Sequence, residues 1–182
     1  MPGLLRASSA SATSAGIREL LAAKRRLTLF RGAGARALAV LAAVVLADQL
    51  SKRAVEHSIP AGDERKLLPG VDLVNTRNSG VAFGFLPGSH VWVTIIIALA
   101  LAGLLVYFAG HRASPWIWLP TGMLMGGAIG NVIDRAREGS VTDFIKLPLG
   151  WPPFNLADAA ITLGVVIFVL LLDHQRQRQR QR

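Results

Sequence analysis

Residues 91–109, VWVTIIIALALAGLLVYFA, are almost wholly apolar, and no Asp, Glu, Lys or Arg occurs between Arg77 and Arg112. A helix of that length rises about 28 Å, close to the hydrocarbon thickness of a bilayer, so the run predicts a transmembrane helix. The same pattern across the chain excludes an ordinary soluble domain: 52% of its 182 residues are hydrophobic and only 17% are charged, with a mean hydropathy of +0.43. Residues 115–133 are uncharged and carry Trp116 and Trp118 near one end as interfacial anchors. Residues 153–172 are interrupted only by Asp158. A further span, roughly 34–52, has its apolar run 37–47 stopped by Asp48. Its rival is a secretory signal peptide, because Val45-Leu46-Ala47 imitates a cleavage site. The basic region ahead of it is far longer than such a leader carries. The expectation is an α-helical integral membrane protein with four transmembrane helices.

Charge sets the orientation. Residues 1–36 hold seven Lys/Arg against one Glu, and residues 175–182 repeat Gln-Arg four times. The net charge of +9 is therefore concentrated at the two ends rather than among aromatic residues, which argues for a topology signal and against nucleic acid. Both termini are expected in the cytoplasm, with the 111–114 turn on that side. The extracytoplasmic parts are then the 53–88 and 134–152 loops. This divides the chain into a basic cytoplasmic extension (1–36, disordered where Ser and Ala dominate residues 7–15), a four-span core (37–173) and a basic tail (174–182). Within the first loop, Pro69-Gly70 followed by Val71-Asp72-Leu73-Val74 reads as a turn and a short strand. The apolar segment 80–85, GVAFGF, has the character of a flexible cover. No internal repeat is apparent.

Four antiparallel spans bring the end of the first, the start of the second, the end of the third and the start of the fourth to one membrane face. Those are the places where the intramembrane polar residues occur: Asp48 and Lys52; Asn75, Arg77 and Asn78; Asn131, Asp134 and Arg135; Asn155 and Asp158. Ionisable groups at such depth are costly and mark function. Each also has a plainer reading. Asp48 and Lys52 have the spacing of an i,i+4 pair, Asn155 and Asp158 that of a capping box, Asp134 is a partner for Arg135, and Arg137 is an interfacial cation. Gly122, Gly126 and Gly130, widened by Gly127, form a ridge for helix packing; no strand precedes it and no Lys-Ser/Thr follows, which excludes a phosphate loop. The four histidines are scattered, so no metal-ligand spacing emerges. If the last span starts at residue 153, Asp158 lies roughly 7 to 8 Å inside it.

Cysteine is absent and no Ser/His pair lies at suitable depth, so hydrolysis here rests on carboxylates, and Asp143 and Asp158 flank the entrance to the last span. Two close carboxylates do not both ionise readily; one keeps a proton while the other activates water. The blocks Asp48-Gln49-x-x-Lys52, Asn78-Ser79-Gly80-Val81-Ala82-Phe83, Gly130-Asn131-Val132-Ile133-Asp134-Arg135 followed by Gly139-x-Val141-Thr142-Asp143-Phe144, and Phe154-Asn155-Leu156-Ala157-Asp158 together resemble the lipoprotein signal peptidases (signal peptidase II), over roughly residues 37–173. The resemblance implies an intramembrane aspartic endopeptidase that removes the signal peptide of a prolipoprotein just before its diacylglyceryl-modified cysteine. It implies Asp143 and Asp158 as the catalytic dyad. Asn78, Asn131, Arg135 and Asn155 are implied as residues lining the site, and Asp48 with Lys52 as a supporting pair. It further implies four spans, a small extracytoplasmic β-rich cradle, a surface helix or lid, and no metal or organic cofactor. Val81 and Gly84 depart from the family's usual Ala and Ser.

A monomer in a bacterial inner (plasma) membrane is expected, meeting lipid and prolipoprotein near the extracytoplasmic face and binding no nucleic acid. The rival class is a proton-coupled transporter, which places polar residues along a continuous path; here they cluster at one end. A lipid-binding scaffold would keep the Asn and Arg residues but has no use for both aspartates.

Overall fold

The computed structural model describes residues 4–79, 99, 102–104, 106–108, 110 and 116–181. The chain runs α1 (Leu4–Ser58), β1 (Glu64–Leu68), β2 (Val71–Asn78), α2 (Trp118–Glu138), β3 (Val141–Lys146) and α3 (Leu156–Arg180). Two stretches, Gly32–Ser58 of α1 and α3, are long and apolar enough to cross a membrane. Most of the second expected span, residues 91–109, and the cover at 80–85 lie outside the described residues. Those described between 99 and 110 are all helical. Among them, Phe108 is buried with Ala33, Ala37 and Ile117, and the Tyr107 ring meets Phe168 edge-on at 5.1 Å between centroids.

Helix α1 starts at Leu4 and runs through most of the basic extension. Its Ala, Leu, Lys and Arg residues are strong helix formers, and no proline occurs between Pro2 and Pro60. Pro60 then follows the helix end by two residues, where a proline is well tolerated. Likewise, α3 continues through the Gln-Arg tail to Arg180.

Glycine decides how closely the helices approach. A Cβ on Gly122 would lie 2.6 Å from Ala37 O, one on Gly126 2.8 Å from Val44 Cβ, and one on Gly127 2.4 Å from Ala157 O. One face of α2 therefore lies against α1 and another against α3, which is the packing use of small residues in lipid. On the outside, Leu38, Leu46, Leu50, Leu163 and Leu170 are exposed, while Asp48, Lys52, Asn131 and Asn155 are buried. Apolar outside with polar inside inverts the soluble arrangement and suits a hydrocarbon solvent.

Beyond the helices lies an antiparallel sheet in the order β1-β2-β3. The strand and turn expected after Pro69-Gly70 are present as the β1–β2 hairpin. Its third strand, β3, comes from the 134–152 segment, which carried no strand signal. Val141, Thr142, Asp143 and Phe144 are all buried, so the alternation that reveals a half-exposed strand is missing. Among residues 59–79 there is no helix; a surface helix in the rest of that loop falls outside the described residues. Phe154 forms a bridge with Ile145, keeping the chain extended until Asn155. The last helix therefore starts at Leu156 rather than residue 153, and Asp158 lies about 3 Å from its start instead of 7 to 8 Å.

Replacing Gly127 with Leu is expected to lower stability by about 1–3 kcal/mol or more through overpacking against Ala157. Gly34, where an added Cβ meets nothing within 4 Å, should accept Ala without loss. Thermal midpoints of the purified variants in detergent check the contrast.

Candidate active site

Asp143 reaches the site from the middle of β3, opposite Thr76 of β2. Two residues further along β2, Asn78 donates from Nδ2 to Asp143 Oδ2 at 3.0 Å. Asn155 donates to the other oxygen, Oδ1, at 2.6 Å. Asp158 arrives from the first turn of α3, where it and Asn155 form a reciprocal capping box. Asn155 Oδ1 accepts from the Asp158 backbone N–H at 2.9 Å, and Asp158 Oδ2 accepts from the Asn155 N–H at 3.4 Å. The remaining oxygen, Asp158 Oδ1, accepts from Asn131 Nδ2 of α2 at 2.8 Å. Asn155 is thus both a helix cap and the link between the carboxylates, one end of its side chain on Asp143 and the other on the backbone of Asp158. It is fully buried.

Burial pushes the Asp143 carboxyl up from 3.8 to about 6; the amide of Asn78 opposes the rise, the charge of Asp158 adds to it, and Asn155 and Lys52 oppose it. Asn155 bonds Asp143 through its Nδ2 and the Asp158 N–H through its Oδ1, so the two aspartates share one neighbour. Arg135 donates from Nη1 to Asn131 O at 3.2 Å, and its guanidinium lies within electrostatic reach of Asp158, Asp143 and Asp134. Arg137 is exposed, as an interfacial cation should be.

A second, deeper network supports the first. Lys52 Nζ lies 2.7 Å from Asp48 Oδ2 and 2.7 Å from Asp134 Oδ2, and it donates to Asn131 Oδ1 at 3.1 Å. This last bond turns the Asn131 amide so that Nδ2 faces Asp158. Asp48 Oδ1 accepts the Ala157 N–H at 2.9 Å, which places a carboxylate at the positive end of α3. Gly130 makes room for it, since a Cβ there would lie 2.7 Å from Asp48 Oδ2. Asp48 and Lys52 are therefore more than an i,i+4 closure of a helix end: they join α1 to α2 and α3.

Two contributors, Gln49 and Glu56, were not singled out in the sequence, and a third, Asp134, has another partner than the one expected. Asp134, read there as a partner for Arg135, instead pairs with Lys52 and accepts from Gln49 Nε2 at 2.7 Å and from the Thr142 N–H at 3.4 Å. Gln49 also donates to Gly130 O at 3.3 Å. Glu56 accepts from Thr142 Oγ1 at 2.6 Å and pairs with Arg77 at 3.2 Å; Arg77 also pairs with Glu138. The spacing Asp48, Lys52, Glu56 puts all three on one face of α1, a signal that was available. Asn75, grouped earlier with Asn78, holds the chain entry to the sheet by donating to Ile59 O at 2.8 Å. Among the described residues, no group of His, Cys, Asp or Glu is arranged to hold a metal ion, and no buried side-chain N or O lacks a partner.

A sequence model of signal peptidase II matches residues 40–173. The chain belongs to the signal peptidase II family. It is 35% identical to the lipoprotein signal peptidase of Halothermothrix orenii, over 76% of this chain and 95% of that one. It is 41% identical to that of Syntrophomonas wolfei, over 75% and 93%. A solved bacterial membrane enzyme superposes with a TM-score of 0.74 at 29% identity, covering 80% of this chain and 92% of its own. The matched region starts at residue 40, so in this signal peptidase II member the whole basic extension, residues 1–36, precedes it.

Two outcomes follow for stability. Lys52→Met leaves Asp48 and Asp134 facing each other while buried, and is expected to cost about 3–5 kcal/mol, seen as a large fall in thermal midpoint. For Asp143, the folded chain holds a proton between pH 3.8 and about 6 that the unfolded chain releases. Its contribution is therefore full below the unfolded value and is lost as pH rises through about 6. Melting curves across this window should show a steeper decline for the wild type than for Asp143→Asn.

Proposed function

We propose that this chain is an intramembrane aspartic endopeptidase that removes signal peptides from diacylglyceryl-modified prolipoproteins, cutting just before the lipidated cysteine. Family membership and the names of its relatives as lipoprotein signal peptidases support the substrate class. The observation that carries the mechanism is the pair of carboxylates, Asp143 and Asp158, joined through Asn155 with Asp143 pushed up to about 6. In such a pair one carboxyl keeps a proton while the other is ionised, as acid and base require.

In this mechanism the ionised carboxylate takes a proton from water, and the resulting hydroxide adds to the scissile carbonyl carbon. The protonated carboxyl gives its proton to the carbonyl oxygen. Collapse of the tetrahedral species returns that proton and expels the amine, which takes up the proton first drawn from water. The pair titrates as a unit. Asn78, Asn131 and Asn155 orient the carboxylates, and Arg135 offers a cation to the substrate carbonyl or lipid headgroup.

The membrane arrangement belongs to the same proposal: four spans in a bacterial inner membrane, both basic termini in the cytoplasm, and a monomer with its dyad near the extracytoplasmic surface. The hairpin and β3 form a cradle over that face. The length of α2, about 31 Å, supports its being a span, although Asp134, Arg135, Arg137 and Glu138 crowd its last turn.

The test is signal-peptide release from a purified diacylglyceryl prolipoprotein. Asp143→Asn and Asp158→Asn should each lower the rate about 10²- to 10⁴-fold while the variants remain folded. Full cleavage by either variant would refute the dyad. Proton flux in proteoliposomes that survives both substitutions would favour transport instead.

A further inference from the structure

We propose that the two ends of the chain form a binding surface for anionic phospholipid headgroups on the membrane face opposite the dyad. Residues 1–36 carry seven Lys/Arg and one Glu, and residues 174–182 carry four Arg and no acid, leaving nine Lys/Arg against ten Asp/Glu in the other 137 residues. The excess positive charge of this protein therefore lies wholly outside its near-neutral core.

The structure brings both basic segments to the same end of the bundle. α1 is a continuous helix from Leu4 and α3 continues to Arg180, so both basic segments are extensions of helices that meet at the same end of the bundle. There Ala33 and Ala37 of α1 pack with Phe108 and Ile117, and Phe168 of α3 joins them. A boundary with water is marked at this level. The Arg36 guanidinium stacks 5.9 Å from the Trp118 ring centroid, and Trp116, itself exposed, lies 5.8 Å from Trp118. Paired tryptophans beside a cation are what the headgroup layer selects. Arg31 follows at about 8 Å along α1 and Lys24 at about 18 Å, which is the depth of headgroups plus a screening length. On the other helix Arg176, Arg178 and Arg180 are exposed. The acid nearest the tail, Asp173, accepts from Gln177 at 2.7 Å. Clusters of four to eight juxtamembrane cations attract anionic lipid, whereas a nucleic-acid surface would interleave its cations with stacking aromatics. None occurs in residues 174–182.

The membrane orientation is that of the proposed function, but the experiment does not depend on it, because nanodiscs expose both faces. The full-length protein is placed in discs of phosphatidylcholine and of phosphatidylcholine with phosphatidylglycerol, and tryptic cleavage at Lys24–Arg26 and Arg176–Arg180 is followed by mass spectrometry. Cleavage should slow about tenfold or more in the anionic discs. The protection should vanish in about 1 M salt, where screening acts within about 3 Å. In the same discs, Arg176→Gln with Arg178→Gln should weaken protection at Lys24–Arg26. Equal cleavage rates in both lipids would overturn the proposal, as would protection by a short RNA in neutral discs with none from phosphatidylglycerol. Prolipoprotein cleavage measured alongside reports on the peptidase reading separately.

Discussion

A single ammonium group, Lys52 Nζ, sits 2.7 Å from Asp48 and 2.7 Å from Asp134 and bonds Asn131 as well. Without it, two carboxylates would be buried side by side with no counter-charge, a state that low-dielectric surroundings penalise heavily. With it, α1 and α2 are fixed in register. The free oxygen of Asp48 then holds the start of α3 through the Ala157 N–H. Three helices from distant parts of the chain are thereby referenced to one point.

The outer carboxylates inherit their positions from this arrangement. Lys52 sets the Asn131 amide, Asn131 holds Asp158, and the capping box fixes Asn155, which reaches across to Asp143. The sheet completes the alignment from the other side, with Asn78 of β2 on the second oxygen of Asp143. Each carboxylate meets amide donors, which favour its charge, inside a buried site, which opposes it. For Asp143 burial wins and the carboxyl rises to about 6. In the proposed mechanism one carboxyl keeps its proton while the other acts as the base.

The glycines of α2 make these distances possible. Gly130 leaves room for Asp48, and Gly127 lets the backbone of α3 approach at Ala157. In lipid no hydrophobic force drives helices together, so close contact depends on small residues and on polar bonds of this kind. The basic ends lie on the far side of the bundle from this machinery, and in the proposed arrangement they address the bilayer while the sheet end addresses the substrate.

Much was legible from the residues alone. Apolar runs long enough to cross a bilayer, the charge bias of the ends and the gathering of Asp48, Lys52, Asn78, Asn131, Arg135, Asn155 and Asp158 at one end followed from helix length and antiparallel order, because both are local properties. The role of Asp134, the contribution of Gln49 and Glu56, and the third strand carrying Asp143 were not, since each depends on a partner at least eight residues away and mostly more than sixty. The start of α3 shifted for the same reason: the bridge between Phe154 and Ile145 holds residues extended that composition alone would let enter the helix. Sequence determined which groups gather at one end of the bundle, through periodicity and charge. Only the tertiary structure decided which oxygen meets which donor, because a hydrogen bond is settled within a few tenths of an ångström by everything packed around it.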